Sequence, residues 1–307
     1  MKRILVSVGD ISGINLSILS KSAEKNKYII FDLVSDKKTS EKICSELNIK
    51  LPANISIIQT KTKNLNVKAG FVSSDSSYLA FQALNQSFDI IKKDKNKYLG
   101  LITLPVNKNQ INKIDKSFKG HTEYFAKKEN SKVAMLLYSK KLAVVPLTTH
   151  IAIREVESLI TYKLIKEQFR VVNDFYSRHI KKNAKFAILC INPHCSDNNL
   201  LGDSDEKIES IVKNLKKEFN VSSPLCSDSA FTENNLKEYD VFFGIYHDQV
   251  LIPFKMLSFN SGVNITCGLS FIRVSPDHGP AYDRVFSKEI DSGSMEECIR
   301  FLKKIEL

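Results

Sequence analysis

The chain has 307 residues, of which 43% are hydrophobic and 26% charged, and its formal net charge is +11. This composition is ordinary for a globular protein, and it excludes a disordered chain, a collagen-like chain and a small disulfide scaffold. No apolar run approaches the roughly 20 residues of a membrane span, and the apolar stretch in MKRILVSVGD is too short for a secretion signal, so we expect a cytoplasmic protein.

The first half of the chain alternates apolar runs with a helical pattern. The runs at 3–8, 28–34 and 98–106 predict strands, because each is short, rich in apolar residues and bounded by turn-forming residues. Residues 77–91 predict a helix, with apolar side chains at helical spacing: Tyr78, Phe81, Leu84, Phe88 and Ile91.

The second half continues the alternation. Strands are predicted at 134–139, 142–149, 185–192 and 240–246, and helices at 152–168 and from about Asp205 onward. Strands separated by helices favour an α/β fold with largely parallel sheets. Ligands of such sheets bind beyond the carboxyl ends of the strands.

Three histidines follow predicted strands at that edge. They are His150, His194 and His247, and each lies just past an apolar run. A catalytic divalent metal takes about three protein ligands and leaves one position open for substrate. The three histidines are therefore candidate metal ligands, although ordinary surface or hydrogen-bonded histidines remain the alternative. His179 follows no strand and is interpreted as a surface residue.

Further candidates are found in two other segments. Thr122, in GHTE, can cap a short helix whose N-terminal N–H groups would bind phosphate or carboxylate, although a plain capped helix is the alternative. Arg273 suits bidentate recognition of an anion, and Lys255 can act as a base when burial lowers its pKa. Read alone, a residue such as Arg273 or Lys255 is more often a solvated charge or an ion-pair partner.

The remaining composition bears on redox state and on partners. None of the six cysteines forms a C-x-x-C motif, so we expect reduced thiols. The positive charge comes from lysines spread along the chain, which indicates a solvated surface rather than a nucleic-acid site and would favour a small anionic substrate.

Six segments in fixed order resemble the 4-hydroxythreonine-4-phosphate dehydrogenase (PdxA) family of vitamin B6 (pyridoxine) biosynthesis. They are GHTEYFA (120–126), TTHIAIREV (148–156), INPH (191–194), YHDQVLIPFK (246–255), GVNITCGLSFIR (262–273) and SPDHGPAYD (275–283). The resemblance covers nearly the whole chain. It implies a homodimer of two-domain α/β subunits with an inter-domain cleft, and we place the first domain at 1–118 plus 285–307 and the second at 119–284.

The resemblance also implies the site and its reaction. A divalent metal (zinc, magnesium or cobalt) near the dimer interface is held by the three histidines named above, and Lys255 is our candidate catalytic base. The implied reaction oxidises the C3 hydroxyl of 4-phosphooxy-L-threonine with NAD or NADP, and the product loses CO2 to give 3-amino-2-oxopropyl phosphate. The implied substrate contacts are His121, Thr122, Lys255, Asn264 and Arg273.

The chain departs from the family pattern in several segments, and these leave alternatives open. The first loop reads VGDISGINL instead of P-G-D-P-A-G-I-G-P, and 280–288 reads PAYDRVFSK where the family often has T-A-F-D-I-A-G-K-G. The second segment is expected near the dinucleotide, whose binding residues the sequence does not identify. The alternatives are a related dehydrogenase acting on phosphorylated threonate or erythronate, a binding protein that has lost cofactor binding, and a nucleic-acid-binding module.

Overall fold

The computed structural model describes residues 1–62 and 64–305. Within these residues the chain forms ten strands: β1 (Lys2–Ser7), β2 (Ile29–Ser35), β3 (Ile55–Gln59), β4 (Leu101–Thr103), β5 (Ala134–Tyr138), β6 (Ala143–Pro146), β7 (Phe186–Ile188), β8 (Val241–Gly244), β9 (Val263–Cys267) and β10 (Arg273–Pro276). The alternation of strands with helices confirms the predicted α/β fold.

The same described residues form eleven α-helices. They are α1 (Asn15–Lys25), α2 (Lys37–Glu46), α3 (Ser74–Lys93), α4 (Lys108–Ile114), α5 (His121–Glu129), α6 (Ile153–Leu159), α7 (Tyr162–His179), α8 (Ser204–Leu215), α9 (Glu233–Glu238), α10 (His247–Ser258) and α11 (Gly293–Lys304). In the part of the chain that is described, none of them has both the length and the apolar character of a bilayer span.

The chain divides into two compact units, and the first contains Met1–Ser131, Val263–Ile265 and Leu269–Leu307. Its strands β3, β2, β1, β4 and β10 lie side by side in that order, and each neighbouring pair among them is parallel. Ile4 and Val6 of β1 are fully buried. Continuous burial of this kind is typical of parallel strands with helices on both faces.

A tight turn joins β1 to α1 at the carboxyl edge of these strands. Gly9 has a φ of +62°, and a Cβ there would lie 2.4 Å from the carbonyl oxygen of Pro105, so the position requires glycine. The side-chain amide of Asn15 donates to the carbonyl oxygens of Val8, Asp10 and Pro105 at 2.9–3.0 Å. The turn is therefore fixed to the end of β4.

The segment 280–288, which departs from the family pattern, packs against this turn. The Tyr282 hydroxyl donates to the Asp10 carboxylate at 2.7 Å, and the Ile14 N–H donates to the carbonyl oxygen of Pro280 at 2.9 Å. The altered segment thus has defined partners within the first unit.

The second unit contains Lys132–Gly262 and Thr266–Gly268. Its strands β5, β6, β8 and β7 lie side by side in that order, with the β5–β6 pair antiparallel and the β6–β8 and β8–β7 pairs parallel. Phe169 of α7 stacks on Phe243 of β8 with ring centroids 3.9 Å apart. A separate cluster of buried side chains includes Leu137, Val144, Ala187, Phe242 and Phe254.

The helix predicted over 152–168 is wrong in its continuity, because two helices occupy this stretch. α6 ends at Leu159, Thr161 is extended, and the Thr161 hydroxyl accepts a hydrogen bond from the Leu164 N–H at the start of α7. Threonine at this position stabilises a new helix start. The apolar stripe continues across the boundary, so spacing alone did not reveal it.

Several elements were not predicted from the sequence. They are strands β3, β9 and β10 and helices α1, α2, α4, α9, α10 and α11. The strand predicted at 98–106 is confirmed only as the three residues of β4. Short buried strands are stabilised by pairing with neighbouring strands. A run of only a few residues is too short to show a periodicity that predicts such a strand.

The prediction that all cysteines are reduced is wrong for one pair. Cys190 and Cys195 form a disulfide, with Cα atoms 5.2 Å apart. This separation lies in the range that a disulfide requires. It arises because every residue in 194–199 has a positive φ, which turns the chain back after β7.

Candidate active site

Arg273 is the centre of a polar cluster in the first unit. Its guanidinium donates from Nε and Nη2 to the Thr103 hydroxyl oxygen at 3.0 and 2.5 Å, and from Nη1 to the side-chain oxygen of Asn264 at 3.5 Å. Thr103 ends β4, Asn264 lies in β9 and Arg273 begins β10. The structure therefore brings two of the predicted substrate contacts, Asn264 and Arg273, to one place.

The Arg273 side chain is almost completely buried, with 1% of its surface exposed. Burial lowers the pKa of its guanidinium to about 9, against the opposing effects of Cys298 and Glu123. The group therefore remains cationic at neutral pH. A buried cation is costly in free energy, and an anionic ligand offsets that cost.

His121 begins α5 and lies half-buried in the same unit. Burial, followed by the positive charges of Arg273 and Lys108, holds the pKa of its imidazole well below 6.5. The ring is consequently neutral at pH 7, with one nitrogen that donates and one that accepts.

The prediction that Thr122 caps this helix is wrong. Gly120 is the N-cap residue of α5 and no side-chain cap is formed, so Thr122 is the second residue of the helix. The cap position requires extended backbone, and Gly120 adopts it one residue before His121. Thr122 nevertheless lies in the first turn, next to the predicted contact His121.

His150 and His247 meet in the second unit. Their ring centroids are 6.0 Å apart with an interplanar angle of 39°. Two imidazoles that share one zinc ion at ordinary N–metal distances have centroids roughly 5–6 Å apart. In addition, Nδ1 of His247 lies 2.6 Å from a carboxylate oxygen of Asp248, so Nε2 is the ring nitrogen that could serve as a metal ligand.

His194 is not brought together with the other two. It is exposed and has a φ of +51° in the turn that follows β7. Across residues 1–62 and 64–305, no three His, Cys, Asp or Glu side chains are grouped so that they could hold a metal ion. The pair His150 and His247 suits a divalent cation in donor chemistry and spacing, and the position of His194 as a third ligand stays a prediction.

Lys255 lies in α10, eight residues after His247, and is half-buried. Eight residues correspond to about 12 Å along the axis of a helix. The Lys255 ammonium lies 5.5 Å from the ring centroid of Phe259, one turn further on. The candidate base and one candidate metal ligand are therefore positioned by a single helix.

Three contributing residues had no predicted role. They are Thr103, which contacts Arg273, Lys108, which lowers the pKa of His121, and Asp248, which contacts His247. The signal for Thr103 was its place at the end of the strand LIT, and the signal for Asp248 was its place directly after His247. Lys108 ends the segment TLPVNK, which begins with Thr103 and resembles a T-G-P-V-x-K segment of the family.

The chain matches the family model described as pyridoxal phosphate biosynthetic protein PdxA over residues 12–302. A 4-hydroxythreonine-4-phosphate dehydrogenase from a Sulfurihydrogenibium species is 36% identical over 97% of both chains. A protein from Oceanobacillus iheyensis, provisionally named D-threonate 4-phosphate dehydrogenase, is 28% identical over 96% of this chain and 95% of its own.

Among solved structures, the chain is similar to the 4-hydroxythreonine-4-phosphate dehydrogenase of Klebsiella pneumoniae. The TM-score is 0.83 at 28% identity, over 99% of this chain and 98% of the other. The likeness therefore extends through both units.

Proposed function

This chain belongs to the PdxA family of pyridoxal phosphate biosynthetic proteins, and we propose that it is a 4-hydroxythreonine-4-phosphate dehydrogenase. One observation carries the proposal: the family match over 12–302 includes every candidate site residue, and the 36% identical relative with this activity covers the same length. The reaction is the oxidation of 4-phosphooxy-L-threonine at C3, followed by loss of CO2 to give 3-amino-2-oxopropyl phosphate.

The first unit supplies the recognition of the anionic substrate. Arg273 provides a fixed positive charge, and its planar guanidinium matches the geometry of phosphate or carboxylate. His121, Thr122 and Asn264 provide neutral hydrogen-bonding groups. The burial of Arg273 and its contacts with Thr103 and Asn264 support this role, because a preorganised cation needs little reorganisation when the anion arrives.

The second unit supplies the metal ligands and the base. His150, His194 and His247 are the proposed ligands, and their imidazole donors favour zinc or cobalt over magnesium. When bound, the divalent cation supplies Lewis-acid stabilisation of negative charge on the substrate oxygen. Asp248 fixes the orientation of the His247 ring, and Lys255 accepts the proton of the substrate hydroxyl.

A dehydrogenase also needs a hydride acceptor, and NAD or NADP is the proposed one. The segment 280–288 is the proposed neighbour of the dinucleotide. Its contacts with the β1–α1 turn support an ordered segment and weigh against the alternative of a chain that has lost cofactor binding. Titration of the purified chain with NAD and NADP, in the presence of zinc and substrate, decides between the two.

We propose a cytoplasmic homodimer with the metal near its interface. The support comes from Ile252 and Met256 of α10 and from Phe259, its C-cap residue, which are exposed at spacings of four and three residues and so form one apolar stripe. The same helix begins with His247. An interface along this stripe would therefore lie close to a metal ligand.

The decisive assay compares two substrates on one preparation. The purified chain with zinc or cobalt and NAD or NADP is given 4-phosphooxy-L-threonine or the 4-phosphates of threonate and erythronate, and reduced nicotinamide is followed by absorbance. We expect turnover of the first. Inertness toward it, together with turnover of a sugar-acid phosphate, would contradict the assignment.

The sugar-acid substrates form the second candidate function. The relatives provisionally named D-threonate 4-phosphate dehydrogenase, from Oceanobacillus iheyensis and Salmonella typhi, favour it, at 28% and 31% identity. Both candidates require the same anion site and the same metal, so only the substrate comparison separates them.

A further inference from the structure

Three cysteines of the second unit lie together at the turn formed by residues 194–199, which we call the His194 turn. Cys190 is joined to Cys195 in a disulfide, and the Sγ of Cys226 lies 3.2 Å from the Sγ of Cys195. The backbone fixes this arrangement, because the Cys190 N–H donates to the carbonyl oxygen of Leu225 at 2.9 Å. A free thiol is therefore held in contact with one sulfur of an existing disulfide.

The turn that contains Cys195 has left-handed backbone not only at Asp and Asn residues, which adopt it more readily than most, but also at Cys195 and Ser196. All six residues from His194 to Asn199 have φ between +44° and +68°. Non-glycine residues keep this conformation only where surrounding contacts enforce it. The carboxylate of Asp205 holds this turn by accepting bonds from the N–H groups of Ile191 and Asn192 and from the Ser196 hydroxyl, and the disulfide at Cys195 provides a further tether.

The disulfide is open to a small reactant. A cavity of about 370 Å³ is lined by Cys190 and Cys195 together with residues of the turn and of α8, including Asn198, Asn199 and Asp205. Thiol–disulfide exchange needs access to a sulfur of the bond. Cys190 is fully buried and Cys195 is half-buried, so Cys195 is the residue that a reactant in this cavity would reach.

We propose that Cys190, Cys195 and Cys226 form a thiol–disulfide relay, a redox modification site that sets the conformation of the His194 turn. In the internal step, the sulfur of Cys226 attacks Cys195, the Cys195–Cys226 bond forms and the Cys190–Cys195 bond breaks. The electron pair of the broken bond goes to the sulfur of Cys190, which takes up the proton that Cys226 has lost. One disulfide and one thiol are present before and after.

An external dithiol reduces the protein disulfide. The dithiol is oxidised to its disulfide while the protein disulfide is reduced to two thiols, with two electrons and two protons transferred. Disulfides of cytoplasmic proteins are usually transient or sensing rather than structural. A relay agrees with the proposed cytoplasmic location, and the third sulfur in contact gives the bond a partner for exchange.

The relay bears on the proposed metal site because His194 directly precedes Cys195. This consequence rests on the proposed function, since it requires His194 to be a metal ligand. The relay itself does not, and the measurements that test it use neither metal nor substrate.

Digestion with trypsin followed by mass spectrometry identifies which of the three cysteines are joined by a disulfide. The purified chain is equilibrated in glutathione buffers from reducing to oxidising, quenched with acid, blocked with N-ethylmaleimide and digested. Cleavage after lysine leaves Cys190 and Cys195 in one peptide, 186–207, and Cys226 in another, 218–237. We expect a closed 186–207 peptide under oxidising conditions, accompanied by a smaller amount of the two peptides linked.

Two variants identify the exchange. In Cys190→Ser the linked peptides should become the main oxidised species, and in Cys226→Ser they should disappear while the closed peptide persists. Cys226 is half-buried, so the second variant preserves the test if the buried Cys190 position does not tolerate serine. Cys44→Ser, at a buried thiol of the first unit, is the matched control and should leave the pattern unchanged.

The turn itself is followed by subtilisin cleavage near Leu200 and Leu201, which are exposed. A dithiol should raise the cleavage rate of the wild-type chain about tenfold, because the turn then opens more often, and should have no effect on Cys195→Ser. Absence of both disulfide species, absence of linked peptides in a folded Cys190→Ser chain, or equal cleavage with and without dithiol would each overturn the relay.

Discussion

Arg273 shows how one buried charge organises the candidate anion site. Its guanidinium is held between a threonine of β4 and an asparagine of β9, and its pKa remains high enough for a full positive charge at neutral pH. His121 lies in the same unit, and its burial, together with the positive charge of Arg273, keeps its ring neutral. The two side chains therefore offer an anion one charge and one neutral hydrogen-bonding group.

Replacing Arg273 by lysine tests whether the forked geometry matters beyond the charge. Hydrogen bonds to charged groups contribute about 1.5–3 kcal/mol, so Arg273→Lys should raise the substrate KM about 10- to 100-fold. Steady-state kinetics measures this. Arg170→Lys, at an exposed arginine of α7, is the control and should leave KM unchanged.

His121 should make folding stability depend on pH. Above pH 6.5 the ring is neutral in both the folded and the unfolded chain; below it the unfolded chain binds a proton that the folded chain resists. Stability should therefore fall as the pH drops below 6.5, by at most about 1.4 kcal/mol per pH unit from this group.

Thermal unfolding of the wild-type chain and of His121→Gln between pH 5 and 8 measures this contribution. Groups common to both chains cancel in the difference between the two curves. The variant should lose part of the acid sensitivity, and parallel curves would show that His121 has no such role.

Asp248 should strengthen metal binding through His247. Removal of a carboxylate that orients a ligating imidazole typically costs 10- to 100-fold in metal affinity, so Asp248→Asn should weaken zinc binding by about that factor. Calorimetric titration with zinc gives the affinity. Asp228→Asn, at an exposed aspartate of the same unit, should bind zinc like the wild type.

At the scale of elements, helix α10 carries residues with several proposed roles, and in the sequence these residues were only close together in one motif. It begins with His247, carries Lys255 two turns later and, with its C-cap residue Phe259, presents the exposed stripe of Ile252, Met256 and Phe259. The helical period places the stripe on one side, while Val250 and Phe254 are buried on the other. A single helix therefore links a metal ligand, a base and the proposed interface.

A charge on this stripe should disrupt the proposed homodimer. Met256 is 82% exposed, so Met256→Glu is harmless to a monomer but would bury an unpaired carboxylate in an interface. Light scattering after size-exclusion chromatography should show a dimer for the wild type and a monomer for the variant. Tyr28→Glu, at an exposed aromatic of the first unit, should remain a dimer; a monomeric wild type would reject the interface.

For the molecule as a whole, the net charge of +11 should steer the anionic substrate to the protein. Raising the ionic strength from 0.01 to 0.15 M shortens the screening length from about 30 to 8 Å. We therefore expect kcat/KM to fall roughly 3- to 10-fold over this range while kcat stays constant. An unchanged kcat/KM would limit the role of charge to the buried Arg273.

The sequence by itself determined the α/β class, the family and the identity of the candidate site residues. Runs of apolar residues predict strands from local sequence, and long motifs in a fixed order, such as YHDQVLIPFK, can be recognised without any knowledge of the fold. The break before α7 and the cap of α5 lay within reach of the sequence, since Thr161 and Gly120 are ordinary cap residues. At Thr161 the cap competed with an apolar stripe that continues across it, and the three-dimensional packing decided between the two.

Only the tertiary structure decided which side chains meet. Thr103 and Arg273 are 170 residues apart, and their contact depends on β4 lying beside β10. The meeting of His150 with His247 depends likewise on β6 lying beside β8, and the contact of Cys195 with Cys226 on the turn after β7. The order of strands in a sheet is set by burial and loop connections summed over the whole chain, so no local pattern contains it.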